Sequence, residues 1–135
     1  NRDLVLAGVF LHDVGKTAEL TYERGFGYSD EGNLLGHITM EALWIQKVID
    51  KLVGFPDDLR LHLLHMVLAH HGRLEYGSPV LPKTPEALLV HYLDDLYGKL
   101  EAMFRAMGTD PGPASWTPFN RVMERMIFKR RWPTE

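Results

Sequence analysis

The sequence predicts a mostly α-helical fold with one short β-ribbon. Apolar residues recur at three- and four-residue spacing over several segments, as they do in amphipathic helices. Glycine and proline separate these segments, and an aromatic and turn-rich stretch over residues 20–35 is typical of a ribbon or ordered loop. At 135 residues the chain has the length of one domain, so we expect a single domain over residues 1–135.

Five helices are expected, and most have a recognisable boundary. The first begins near Leu4 and is apolar nearly all round, and we expect Gly15 to be its C-terminal cap. The second begins at His37 and the fourth at Pro85, where Thr84 provides an N-cap. In order, the expected helices cover residues 4–15, 37–53, 59–71, 85–107 and 118–128.

Composition excludes several classes of protein. The net charge of −3 gives no general attraction for nucleic acid. The absence of cysteine excludes disulfides and thiolate ligands, and it is compatible with the cytoplasmic location that we expect. No apolar run approaches the roughly 20 residues of a membrane span, so we expect no membrane partner. Because Asn1 is not an initiator, we expect the chain to be a piece of a longer protein that lacks an upstream segment.

Potential metal ligands are concentrated at the ends of the predicted helices. His12 and Asp13 close the first helix, and His37 begins the second. The pair His70 and His71 closes the third, and Asp94 lies within the fourth. Ligands from four helices can converge in the core of a bundle, as in two-metal carboxylate and histidine sites.

The adjacent pairs suggest two ions rather than one. Neighbouring residues on a helix diverge by about 100°, so a pair cannot easily chelate one ion, whereas it can serve two. A carboxylate such as Asp13 can bridge them with one oxygen to each. Two metals about 3.5–4 Å apart activate water and hold both oxygens of an in-line phosphoryl displacement.

The order of these motifs resembles a known family. The strings HDVGK, GHI, HHGRLEYGSP and HYLDD, in this order, are similar to the HD superfamily of metal-dependent phosphohydrolases. Three longer stretches resemble the YhaM-type bacterial 3′-5′ exoribonucleases: YSDEGNLLGHI, HHGRLEYGSPVLPKTPEALLVHYLDDL and WTPFNRVMERMIFKR. The resemblance implies an HD-domain helical bundle, and full-length relatives carry an OB-fold domain ahead of it.

The resemblance also assigns roles to residues. It implies that His12, Asp13 and Asp94 hold one metal. The second metal would be held by His37, His70 and His71, with Asp13 bridging. The ion suggested by relatives is Mn²⁺, and the ligand types also admit Fe, Co, Ni or Zn. A further family histidine lies upstream of the HD pair and has no counterpart in this sequence.

Other residues are expected around the metals. Lys16 would neutralise a phosphate oxygen or developing charge, with Asp13 and Lys16 as the catalytic pair. Arg73 is a second candidate for phosphate contact, and a solvated surface residue is an equally good interpretation. His91 and Asp95 are expected to hydrogen-bond outside the ligand set.

The expected activity is hydrolysis of phosphodiester bonds in single-stranded RNA or DNA from the 3′ end, releasing nucleoside monophosphates. One alternative is a phosphohydrolase for small nucleotides or cyclic dinucleotides, although Tyr76-Gly77-Ser78-Pro79 stands where cyclic-di-GMP-cleaving relatives have a GYP signature. Another is a non-catalytic metal- or nucleotide-binding module. A homo-oligomer is compatible with all three.

Overall fold

The computed structural model describes residues 1–23 and 25–129 and is mostly helical, which confirms the expected fold class. The two-residue strands β1 (Leu20–Thr21) and β2 (Gly27–Tyr28) pair antiparallel, with Leu20 opposite Tyr28, and form the expected ribbon after the HD pair. The helices of this part of the chain are α1 (Arg2–Leu11), α2 (Lys16–Glu19), α3 (Asp30–Ile49), α4 (Asp57–Ala69) and α5 (Pro85–Thr109).

A helical segment begins at His37 after the kink, as expected, but the loop expected over residues 30–35 is wrong, because α3 as a whole begins at Asp30. Ser29 is the N-cap, and its hydroxyl oxygen accepts the N–H of Gly32 at 2.9 Å. The turn-forming residues that suggested a loop therefore form the first turn of a helix. The helix is kinked at Gly36, whose φ of 70° and ψ of 151° are not helical, and His37 follows the kink.

The role expected for Gly15 is also wrong. The helix α1 ends at Leu11 with His12 as its C-cap, and Gly15 has right-handed helical angles instead of the positive φ of a glycine cap. A Cβ at Gly15 would lie 2.4 Å from the backbone oxygen of His37. The position needs glycine because two backbone segments approach closely there.

The last expected helix, over residues 118–128, is absent from the described part of the chain. Isolated antiparallel bridges join Trp116 to Phe128 and Asn120 to Arg125. Val122 and Met126 are 83% and 52% exposed, so they form no buried helix face. Ile127 is buried instead, and its N–H donates to the Thr117 hydroxyl at 3.0 Å.

The backbone divides into two compact units, residues 1–94 and residues 95 onward. The first unit contains an apolar core in which Met66 and Val67 are fully buried. The core residues are Leu4, Ile45, Ile49, Leu63, Met66, Val67, Ala69, Ala87 and Val90. In the second unit, Lys129 forms an ion pair with Asp110 at 2.8 Å. The expectation of a single domain over residues 1–135 stays a prediction.

None of the helices in the described residues has both the length and the apolar character needed to cross a bilayer.

Candidate metal centre

Side chains from α5 and the end of α1 form the first group of potential ligands. His12 and Asp13 directly follow α1, and Asp94 lies on α5. The Nε2 atom of His12 is 3.6 Å from Asp13 Oδ2 and 3.6 Å from Asp94 Oδ1. One ligand atom from each of the three residues lies within 4.8 Å of the others, which is close enough for all three to share a cation.

Three histidines form the second group. His37 follows the kink of α3, and His70 and His71 follow the last turn of α4. Their ring centroids lie 4.5 Å apart for His70 and His71, and 5.2 Å apart for His37 and His71. One nitrogen from each ring lies within 4.8 Å of the other two. The six ligands expected from the sequence therefore come together in two groups.

Asp13 lies between these groups. Its Oδ1 atom is 3.6 Å from Nε2 of His37 and 3.8 Å from Nε2 of His70. Its other oxygen, Oδ2, faces Nε2 of His12. The two oxygens thus point to different groups, as a bridging carboxylate requires.

All four histidines present the same ring nitrogen to the site, because Nδ1 is engaged elsewhere. A carbonyl or carboxylate oxygen only accepts hydrogen bonds, so each Nδ1 carries a proton, and in the neutral form of each ring Nε2 offers its lone pair. The Nδ1 contacts are His12 to Val9 O at 2.8 Å, His37 to Glu19 at 3.1 Å, His70 to Val67 O at 2.7 Å and His71 to Tyr76 O at 2.7 Å. This is the tautomer that a metal bound at Nε2 needs.

Unsatisfied polar atoms test whether cations fit this site. Asp13 Oδ1, His37 Nε2 and His70 Nε2 are buried and find no hydrogen-bond partner among the described residues. Buried polar atoms without partners are costly, and these three point toward one another. Divalent cations would satisfy all three, so the residues fit the metals that the donor set suggests.

The electrostatics of the site affect two of the candidate histidine ligands in opposite directions. Burial lowers the pKa of the His70 imidazole to about 4, so this ring is neutral at pH 7. The contact between His12 and Asp94 raises the pKa of His12 and lowers the pKa of Asp94. An acid–imidazole pair that holds a proton without a metal can release it when a cation binds.

The residues expected around the metals form hydrogen bonds or ion pairs with different partners. Lys16 Nζ donates to Asp13 Oδ2 at 2.7 Å, so its ammonium lies at the edge of the first group. His91 Nδ1 donates to the backbone oxygen of His70 at 2.9 Å, which places it next to a candidate ligand. Asp95 forms an ion pair with Lys99 one turn along α5.

Two acidic residues beside the ligands were missed from the sequence. Glu19 contacts His37 through its carboxylate, and Glu41 Oε2 accepts the N–H of Gly15 at 3.0 Å. Glu41 is fully buried, and burial raises its pKa to about 8. Its position on the apolar stripe of α3, four residues after His37, is a signal that could have revealed it. No comparable pattern points to Glu19.

A helical fold that brings histidine and carboxylate side chains from separate helices to one centre is typical of a metal-binding protein. The chain belongs to the HD domain family, whose model matches residues 1–98 and so includes both ligand groups. HD domains bind divalent metals, and the family identifies the activity as that of a metal-dependent phosphohydrolase. No solved structure matches the chain.

Proposed function

We propose that the protein is a 3′-5′ exonuclease that hydrolyses phosphodiester bonds of single-stranded nucleic acid, with RNA as its preferred substrate, and releases nucleoside monophosphates. The observation that carries the proposal is the placement of Asp13, whose oxygens face two separate ligand groups. This geometry suits a pair of cations, the arrangement used for in-line displacement at phosphorus. The resemblance of the motifs to YhaM-type exoribonucleases supports the choice of substrate and direction.

Different residues of the chain would hold the two cations. One group, formed by His12, Asp13 and Asp94, would hold one cation, and the three remaining histidines would hold the other. Bound divalent cations supply a water nucleophile at neutral pH and neutralise charge on the phosphate. The resemblance to YhaM-type relatives favours Mn²⁺, and the imidazole and carboxylate ligands equally admit Fe, Co, Ni or Zn.

Lys16 would act on the phosphate itself. Its ammonium is held 2.7 Å from Asp13 Oδ2, and the side chain remains 40% exposed. A lysine that lies at the edge of the ligand group and reaches solvent can pair with a phosphate oxygen as charge develops there. This role uses the positive charge of Lys16 and requires no proton transfer from it.

The test is hydrolysis with a set of matched substrates and variants. The wild-type chain, with Mn²⁺ and after metal removal by a chelator, is assayed on 5′-labelled single-stranded RNA, the same sequence of DNA, and a cyclic dinucleotide. Asp13→Ala and His70→Ala remove a bridging and a terminal ligand, while His62→Ala removes a histidine of α4 outside both groups. Elemental analysis of each variant reports the metal content.

We expect Mn²⁺-dependent shortening of RNA from its 3′ end, with mononucleotide as the product. The two ligand variants should lose at least about a hundredfold in rate, on the scale of a lost catalytic metal interaction, together with bound metal. The His62→Ala variant should keep both. Cleavage of the cyclic dinucleotide alone would contradict the proposed substrate, and unchanged hydrolysis in Asp13→Ala and His70→Ala would contradict the site.

A further inference from the structure

A short hydrogen-bonded turn follows the pair His70 and His71. Residues Leu74–Tyr76 form a 3₁₀ turn, after which Gly77 adopts a left-handed conformation with φ of 84°. The carbonyl of Arg73 accepts the N–H of Tyr76 and that of Ser78, each at 3.1 Å. Ser78 is buried, and its hydroxyl donates to the carbonyl of Leu68 on α4 at 3.1 Å. These bonds fix the backbone on both sides of Tyr76.

The turn is tied directly to a candidate metal ligand. The backbone oxygen of Tyr76 accepts a hydrogen bond from Nδ1 of His71 at 2.7 Å. A Cβ on Gly77 would lie 3.9 Å from the same Nδ1 atom, so the backbone of the turn packs against the imidazole. The side chain of Tyr76 therefore starts at a residue that orients a ligand of the metal centre.

The Tyr76 side chain presents an aromatic surface with a positive charge beside it. The residue is 55% exposed, although a tyrosine ring gains by burial. The guanidinium carbon of Arg73 lies 5.5 Å from the centre of the ring, a cation–π contact that restrains both side chains. A flat aromatic group that carries an adjacent negative charge is complementary to this pair, and a nucleotide has both features.

We propose that Tyr76, with Arg73 beside it, is a stacking surface for one nucleobase of the substrate, a conclusion that rests on the proposed function. Every base has a π-face, so stacking holds a strand without selecting its sequence, and the cation of Arg73 attracts the adjoining phosphate. The fixed turn then sets the distance between the stacked base and His71. Tyr76 acts in binding and positioning, and it takes no part in bond cleavage.

The experiment measures binding apart from hydrolysis. A fluorescent single-stranded RNA with phosphorothioate linkages is titrated with the Mn²⁺-loaded protein and followed by anisotropy. The same RNA with one abasic nucleotide, placed in turn at each of the terminal positions at the 3′ end, removes one base at a time. The variants are Tyr76→Ala, Tyr76→Phe, Tyr76→Leu and the control Leu74→Ala, which removes a neighbouring side chain that is 60% exposed.

We expect Tyr76→Ala to weaken binding of intact RNA by about five- to a hundredfold, the range for loss of one stacked base. Tyr76→Phe should bind like the wild type, Tyr76→Leu should behave like Tyr76→Ala, and Leu74→Ala should have little effect. One abasic position should weaken binding to the wild type and cause no further loss in Tyr76→Ala. Because the bond to His71 comes from the backbone, all variants should retain their metal content.

Wild-type affinity in Tyr76→Ala and Tyr76→Leu would overturn the inference. The inference would also fail if, at every abasic position, the loss of affinity caused by the missing base multiplied with the loss caused by Tyr76→Ala, because the two losses would then be independent. If instead the wild-type chain cleaves no phosphodiester substrate, the proposed function fails. The anisotropy of the RNA complexes still decides the role of Tyr76 in that case, so the two failures are distinguishable.

Discussion

Replacement of Glu19 by glutamine should weaken metal binding through His37. The Glu19 carboxylate lies 3.1 Å from Nδ1 of His37, and its Oε1 atom also accepts the backbone N–H of His37 at 3.0 Å. Both side chains are about nine-tenths buried, at 11% and 10% exposure. Burial raises the pKa of Glu19, yet the bonds from the amide and ring of His37 outweigh it and hold the pKa below its ordinary value.

The size of the effect follows from the loss of charge. A hydrogen bond to a charged group contributes about 1.5–3 kcal/mol and a neutral bond about 0.5–1.5 kcal/mol. The Glu19→Gln variant keeps an amide oxygen that can accept from Nδ1 and loses the charge, so it should cost about 1–2 kcal/mol of metal binding. At roughly tenfold per 1.4 kcal/mol, Mn²⁺ affinity should fall about 5- to 30-fold, which overlaps the loss of roughly 10- to 100-fold that is usual for partners of a metal-bound histidine.

The assay is a Mn²⁺ titration followed by electron paramagnetic resonance, with thermal unfolding measured in chelator to separate affinity from stability. Glu23→Gln is the matched control, because Glu23 is an exposed acid between β1 and β2. The reasoning would be refuted if Glu19→Gln and Glu19→Ala bound Mn²⁺ as tightly as the wild type. A fall in affinity equal to that of Glu23→Gln would also refute it, since general charge would then be the cause.

Two further predictions concern stability. Gly15→Ala should lower the free energy of unfolding by about 1–3 kcal/mol, because the added Cβ would meet backbone atoms of His37. The control Gly98→Ala has open space in α5 and should be neutral or stabilising. Urea denaturation measures both. An unchanged midpoint in Gly15→Ala would contradict the close approach.

Burial, with Lys83 and His62 nearby, lowers the pKa of the His65 imidazole in the folded chain. The unfolded chain therefore binds more protons, and the free energy of unfolding falls as the pH falls below about 6.5. The unfolding free energy of the wild type should therefore fall more between about pH 7.5 and 5.5 than that of His65→Gln, and equal slopes would be the contrary result.

Which side chains lie together at the candidate metal centre was easier to predict from the sequence than the backbone around them. The pairs at helix ends, such as His70 and His71, are visible because a helix end fixes where adjacent side chains can reach. A partner such as Glu19 is invisible, since its contact with His37 depends on how the ribbon returns the chain to α3. The helix predicted over residues 118–128 is wrong. Hydrogen bonds between separated segments, such as the bond from the Ile127 N–H to the Thr117 hydroxyl, replace the helical ones there.

The kink at Gly36 has a consequence for how a ligand can be lost. In an unbroken helix the amide of His37 would bond to a carbonyl one turn earlier, whereas here it is free to donate to Glu19. The backbone angles at Gly36 lie in a region that is essentially closed to residues with a side chain, although space around it is open. A side chain at position 36 would therefore displace the His37 imidazole, although residue 36 is not itself a candidate metal ligand. Inactivating substitutions in this protein are then expected also at positions outside the candidate metal centre.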